Sequence, residues 1–147
     1  MNEFMKAAIE EARGGIHRGE GGPFGCVIVR NGVIIGRGHN EVIKQKDPTC
    51  HGEIMAIRDA CRAEGTHDLS GCELYTTASP CPMCLGALLW ARIKKVYYGC
   101  TVHDMAGLGF SDEKFFTAPE YTAEEMDRED CLGLFSEYHE LAGKAPY

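Results

Sequence analysis

Two apolar runs, Cys26-Val27-Ile28-Val29-Arg30 and Val33-Ile34-Ile35-Gly36-Arg37, are separated only by Asn31-Gly32. That dipeptide suits the positive backbone angles of a two-residue type I′ turn, so the runs read as an antiparallel hairpin. Beyond it the chain alternates. Residues 51–64 carry Ile54, Ile57, Ala60 and Cys61 at helical spacing, and Gly65 stops that helix. A strand over 72–77, a helix over 81–91 and a strand over 96–99 follow. Alternation implies crossover connections and parallel pairing, so the sheet is expected to be mixed, with helices on its faces.

An amphipathic helix over 3–18, with Phe4, Ala8, Ile9, Ala12 and Ile16 on one stripe, precedes the hairpin and is broken by Gly19-Glu20-Gly21-Gly22-Pro23. Residues 41–49 read as a polar loop. Residues 101–121 read as loop with one helical turn around 112–116, and Thr122-Ala123-Glu124-Glu125 resembles a capping box opening a last helix that includes 131–141. No internal repeat or linker divides the chain, so residues 1–147 are expected to form a single domain, with 112–147 as its C-terminal tail.

A length of 147 residues with 44% hydrophobic and 25% charged side chains suits one buried core. There is no stretch of roughly eighteen apolar residues for a membrane span, and the first residues lack the pattern of a secretory signal. The expected location is cytoplasmic, away from membranes, with the eight cysteines as reduced thiols, some of them bound to metal. The net charge of −7 is unevenly placed: residues 1–111 balance twelve acids with twelve bases, whereas 112–147 set ten acids against Lys114, Arg128 and Lys144. Such a tail repels a phosphate backbone, so nucleic acid is not the expected partner.

Two short motifs carry the chemistry. His51-Gly52-Glu53 opens one expected helix and Pro80-Cys81-Pro82-Met83-Cys84 opens another. One imidazole and two thiolates make a strong zinc (Zn2+) set, and a helix N-terminus favours the deprotonated thiol. Three protein ligands leave a fourth position for water, whose acidity zinc raises. Glu53 is near enough to work on that water or on a substrate while staying off the metal. A closed structural site would need a fourth ligand, for which Cys50, Cys61, Cys72, Cys100 and His103 are the candidates.

The paired H-x-E and P-C-x-x-C pattern is the general signature of zinc-dependent base deaminases. From Pro23 through Gly99 the chain resembles the cytidine and deoxycytidylate deaminase superfamily. The resemblance implies an α/β, three-layer fold with a central mixed five-stranded sheet and helices on both faces, bringing His51, Cys81 and Cys84 together. Within the superfamily the chain is most similar to bacterial guanine deaminases, at residues 21–25, Asn40, Asp47-Pro48-Thr49, residues 79–87, Trp90-Ala91-Arg92, residues 109–112 and the terminal Tyr147.

That likeness implies a hydrolase acting on a free nucleobase, guanine going to xanthine and ammonia, with Glu53 moving protons. It also implies Asn40, Phe24 and Asp112 as substrate-binding residues, and a homodimer in which tails ending in Tyr147 are exchanged to close partner pockets. Taken alone, Phe24 and Phe110 read as core and Asp112 as a helix cap. Gly52 departs from the usual alanine and is similar to the motif of fungal cytosine deaminase, where a glycine at the pocket floor would admit a different ring. Cytosine or isocytosine deamination is therefore one alternative; tRNA adenosine deamination and a non-catalytic module with structural zinc are the others.

Overall fold

The computed structural model describes residues 1–110, Phe115, Thr117 and residues 122–141. Asn2 starts the first helix, α1 (Glu3–His17), by accepting hydrogen bonds from the amides of Phe4 and Met5 at 2.9 and 3.1 Å. The hairpin follows as β1 (Gly25–Arg30) and β2 (Val33–His39). Asn31 and Gly32 take φ of 50° and 77°, the left-handed pair that a type I′ turn requires. The pairing slips between Ile28 and Val29, so Ile35 is bulged.

Strand β2 runs through His39, further than its glycines suggest in the sequence. Gly36 and Gly38 do not end it, because α3 (Gly52–Glu64) lies directly over that strand. A Cβ on Gly38 would stand 2.3 Å from the Ala56 amide nitrogen. The polar loop also contains a short helix, α2 (Val42–Gln45), whose Ile43 and Lys44 amides both donate to the Glu20 carbonyl at 3.1 Å. Helix α3 ends on Gly65 at φ 64°, as its position in the sequence predicts.

The chain continues through β3 (Glu73–Ala78), α4 (Pro82–Trp90) and β4 (Lys95–Cys100). Among the described residues the sheet has four strands, not five, in the order β2-β1-β3-β4. Strand β1 is antiparallel to both its neighbours and β3 is parallel to β4, so the sheet is mixed as expected. A fifth strand is missing from this set because the chain passes from β4 straight into α5 (Val102–Ala106). Thr101 and Asp104 start α5 with reciprocal cap hydrogen bonds inside a segment that reads as loop.

Strand alternation sorts the core into two faces. Val27, Val29 and Tyr75 pack with Ala7 of α1 on one side. Cys26, Ile28 and Leu74 pack with Ala56 and Ala60 of α3 and Leu88 of α4 on the other. Helices thus cover both faces, giving three layers. Fully buried side chains such as Ile28 and Leu74 each contribute about 1.5–3 kcal/mol relative to exposure.

The tail helix, α6 (Arg128–Glu140), begins later than Thr122. Asp127 at φ 51° and ψ 37° interrupts any helix entering from the apparent capping box. No residue of α6 is buried, and Leu134 and Phe135 are 64% and 66% exposed. The helical turn expected over 112–116 lies outside the described residues apart from Phe115.

Candidate active site

The two motif helices present their first turns to one point. His51 is the N-cap of α3 and Cys81 the N-cap of α4; each has an extended backbone, and neither uses its side chain as a cap. With Pro82 at the start of α4, Cys84 falls one turn on and faces the same way. His51 Nδ1 is 3.6 Å from the sulfur of Cys81 and 3.6 Å from that of Cys84. Tetrahedral zinc bonded to nitrogen at about 2.0 Å and to sulfur at about 2.3 Å holds those atoms about 3.5 Å apart. The donor set therefore fits a zinc ion. Among the described residues no fourth ligand joins this group, which leaves one tetrahedral position open.

Charge at the site follows from burial and from the helix ends. A hydrogen bond from the neighbouring Cys84 is the main cause that holds the Cys81 thiol down to about 4. The same bond, burial and the nearby Glu53 carboxylate push Cys84 well up. Binding a metal ion would draw both to the thiolate form. Glu53 sits at the first turn of α3 and is 6% exposed. Burial pushes its carboxyl up, against a backbone hydrogen bond and the Cys84 thiol.

Glu53, His51 and Cys81 line a cavity of about 320 Å³ together with Phe24, Asn40 and Phe110. That volume is at the lower end of ordinary small-molecule sites, about 300–1,000 Å³. The Asn40 side-chain oxygen accepts from the amides of Gly22 and Val42 at 3.3 and 3.1 Å, so its NH2 group is the end left for a ligand. Phe24 meets Phe110 edge-to-face with centroids 5.1 Å apart. Phe110, which reads as core in the sequence, is 44% exposed at this wall. Its place in the resembling run 109–112 is the sequence signal for such a position.

The structure puts Gly52 behind the site, off the cavity wall. A Cβ there would meet the Cys26 sulfur and the Phe24 carbonyl oxygen, each at 3.2 Å. The missing methyl makes room for Cys26 and for the Phe24 backbone. Met105, not singled out by the sequence, and Ser79, which begins the resembling run 79–87, also line the cavity. Asp112 and Tyr147 lie outside the described residues.

A three-layer fold whose two helix starts converge as one imidazole, two thiols and a buried carboxylate defines a zinc-binding deaminase domain. The chain belongs to the cytidine and deoxycytidylate deaminase family: residues 1–100 match the "Cytidine and deoxycytidylate deaminase zinc-binding region". It is 48% identical over 151 residues to the guanine deaminase of Bacillus subtilis (strain 168), spanning 98% of this chain and 97% of that one. The X-ray structure of guanine deaminase from Bacillus subtilis superposes with a TM-score of 0.87, covering 100% of this chain and 99% of that one at 41% identity. A tRNA-specific adenosine deaminase of Aquifex aeolicus (strain VF5) is 48% identical over 95 residues, 65% of this chain and 62% of the relative.

Proposed function

We propose that this chain is a zinc-dependent hydrolytic deaminase of free guanine, releasing xanthine and ammonia in the cytoplasm. The observation that carries the reading is the buried Glu53 on the cavity wall, with one oxygen 3.4 Å from the Cys84 sulfur and no place among the three metal-ligand candidates. His51, Cys81 and Cys84 hold the zinc. Zinc, when bound, supplies an activated water as nucleophile near neutral pH.

The chain's own residues do the rest. Glu53 accepts a proton from the attacking water and passes it to the ring nitrogen beside the amino-bearing carbon; it then takes the remaining proton of the added oxygen and delivers it to the amino group, which leaves as ammonia while the ring carbonyl forms. Its raised carboxyl suits a group that must both take and return a proton. Asn40 donates its NH2 group to an acceptor on the base, and Phe24 packs against the ring. Asp112 reads the polar edge that distinguishes guanine from other bases. A relative at 48% identity over 98% of this chain supports guanine more broadly than a tRNA-specific relative matching 65% of it.

The quaternary reading is a homodimer with exchanged tails. Helix α6 keeps Leu132, Leu134 and Phe135 exposed, and α4 keeps Leu89 and Trp90 exposed, so both faces call for cover. A second copy supplies it, and Tyr147 closes the partner's pocket.

Ammonia release from guanine, cytosine, isocytosine, adenine and an adenosine-bearing RNA hairpin, with and without a chelator, tests the reaction. Guanine is expected to win and the chelator to stop it. Cytosine in first place would overturn the substrate, and full turnover after zinc removal would overturn the mechanism. Mixing a Glu53→Gln subunit with one truncated before Thr122 tests the exchange. Activity is expected to return in the mixture, and a stable but inactive mixed dimer would end that part.

A further inference from the structure

Behind Asn40 lies a charged cluster that the reaction leaves unused. His39, at the end of β2, is 8% exposed and packs against α1 so closely that a Cβ on Gly15 would stand 2.6 Å from its ring. Its Nδ1 lies 3.4 Å from Glu11 of α1, and its Nε2 contacts Glu20 of the α1–β1 loop and stands 3.5 Å from Glu41 beside α2. One imidazole thus joins three elements. Glu20, His39 and Glu41 are spaced as a metal site could be. However, Arg18 and Lys44 already pair with Glu20 and Glu41 at 3.0–3.6 Å, and Arg37 pairs with Glu11 at 3.6 Å, so the carboxylate charge is balanced without an ion.

We infer that His39 is a positioning residue, which holds the Gly22–Phe24 lip and the Val42–Ile43 wall of the cavity around Asn40 and thereby sets the affinity for the base. Three sets of contacts transmit the hold. The Glu20 carbonyl ties down the Ile43 and Lys44 amides, both at 3.1 Å. The Asn40 amide donates to the Phe24 carbonyl at 2.8 Å. The Asn40 side-chain oxygen takes the amides of Gly22 and Val42. Loop, strand end and α2 therefore move together, and the carboxylates gripping His39 fix where that unit sits. Freeing His39 loosens the unit, and the Asn40 NH2 group then spends less time aimed at the base. Binding weakens, while the metal ligands and Glu53, on α3 and α4, keep their places.

The inference rests on the deaminase reading, and the experiment separates the two. His39→Leu is compared with the parent for KM, kcat, zinc content, thermal midpoint and calorimetric Kd for xanthine. KM for guanine and Kd for xanthine should each rise about tenfold or more, with kcat within about threefold and zinc unchanged, a loss of about 1.4 kcal/mol in binding. His39→Gln, which can still bridge two of the carboxylates, should recover part of the affinity. If His39→Leu does not fold, the isosteric Glu20→Gln is read instead and should shift KM and Kd in the same direction. A lower thermal midpoint with unchanged KM and Kd would overturn the positioning role and leave the deaminase intact. A parent protein that releases no ammonia from any base would overturn the deaminase reading itself.

Discussion

The sulfur of Cys84 lies 3.4 Å from a carboxylate oxygen of Glu53, so the buried acid touches the thiol and imidazole cluster without belonging to it. On the proposed mechanism this separation divides metal binding from proton transfer. Glu53→Gln preserves size while removing the proposed proton carrier. It should retain zinc at the parent level and lower kcat by about 10²–10⁴. Metal analysis beside steady-state kinetics checks this, and a near-normal rate would refute the role.

Cys84→Ala removes one of the three metal-ligand candidates from a fully buried position. Purified parent protein should hold one zinc per chain and the variant much less. Added chelator should lower the thermal midpoint of the parent and leave the variant unmoved, because only a folded site couples metal binding to stability. Full zinc retention in the variant would move the metal elsewhere.

Gly52 and Cys26 should behave as a pair. A methyl on Gly52 presses on the Cys26 sulfur at 3.2 Å, so Gly52→Ala should be better tolerated beside Cys26→Ala, with a coupling of roughly 0.5–3 kcal/mol in a double-mutant cycle. Base preference should not change in either variant. Additive free energies, or a switch toward cytosine, would contradict the packing role.

Asp112 is expected to read the base. Asp112→Asn should reduce kcat/KM for guanine by about tenfold or more, the size of one lost charge-assisted hydrogen bond, and leave zinc content alone. A variant as fast on guanine as its parent would remove Asp112 from the pocket.

Stability should fall on the acid side through carboxylates held by hydrogen bonds and ion pairs. The Ser70 hydroxyl and amide, with Arg92, hold Asp68 down to about 2, and Arg18 and His39 do the same for Glu20. A lowered folded-state value means the unfolded chain binds protons first, so this stability is complete above the ordinary carboxylate range and is lost as pH falls toward 2. Asp68→Asn should be less stable than the parent at about pH 6 and converge with it by about pH 2. Urea melts across that range provide the check, and parallel curves would reject the assignment.

Much of this molecule is written locally. Asn31-Gly32 sets its hairpin through the backbone angles of two residues, and Gly65 ends α3 in the same way. The metal-ligand candidates are legible because His51 and Cys81 each sit at a helix start, where side-chain direction follows from the helix itself. What the sequence left open depends on residues far apart in the chain. Strand β2 reaches His39 because Ala56 lies against Gly38, and α2 exists because the Glu20 carbonyl receives its amides. Phe110 becomes a cavity wall only by meeting Phe24. That a Cβ on Gly52 would press on Cys26 and on the Phe24 backbone shows only once the fold brings those segments together. The sequence by itself determined the hairpin, the starts of α3 and α4 and the donor set, since these are settled by backbone angles and spacing over a few residues. Tertiary structure decided the strand end, the short helix and the cavity walls, because steric exclusion and hydrogen bonding there act between segments that only folding brings within contact.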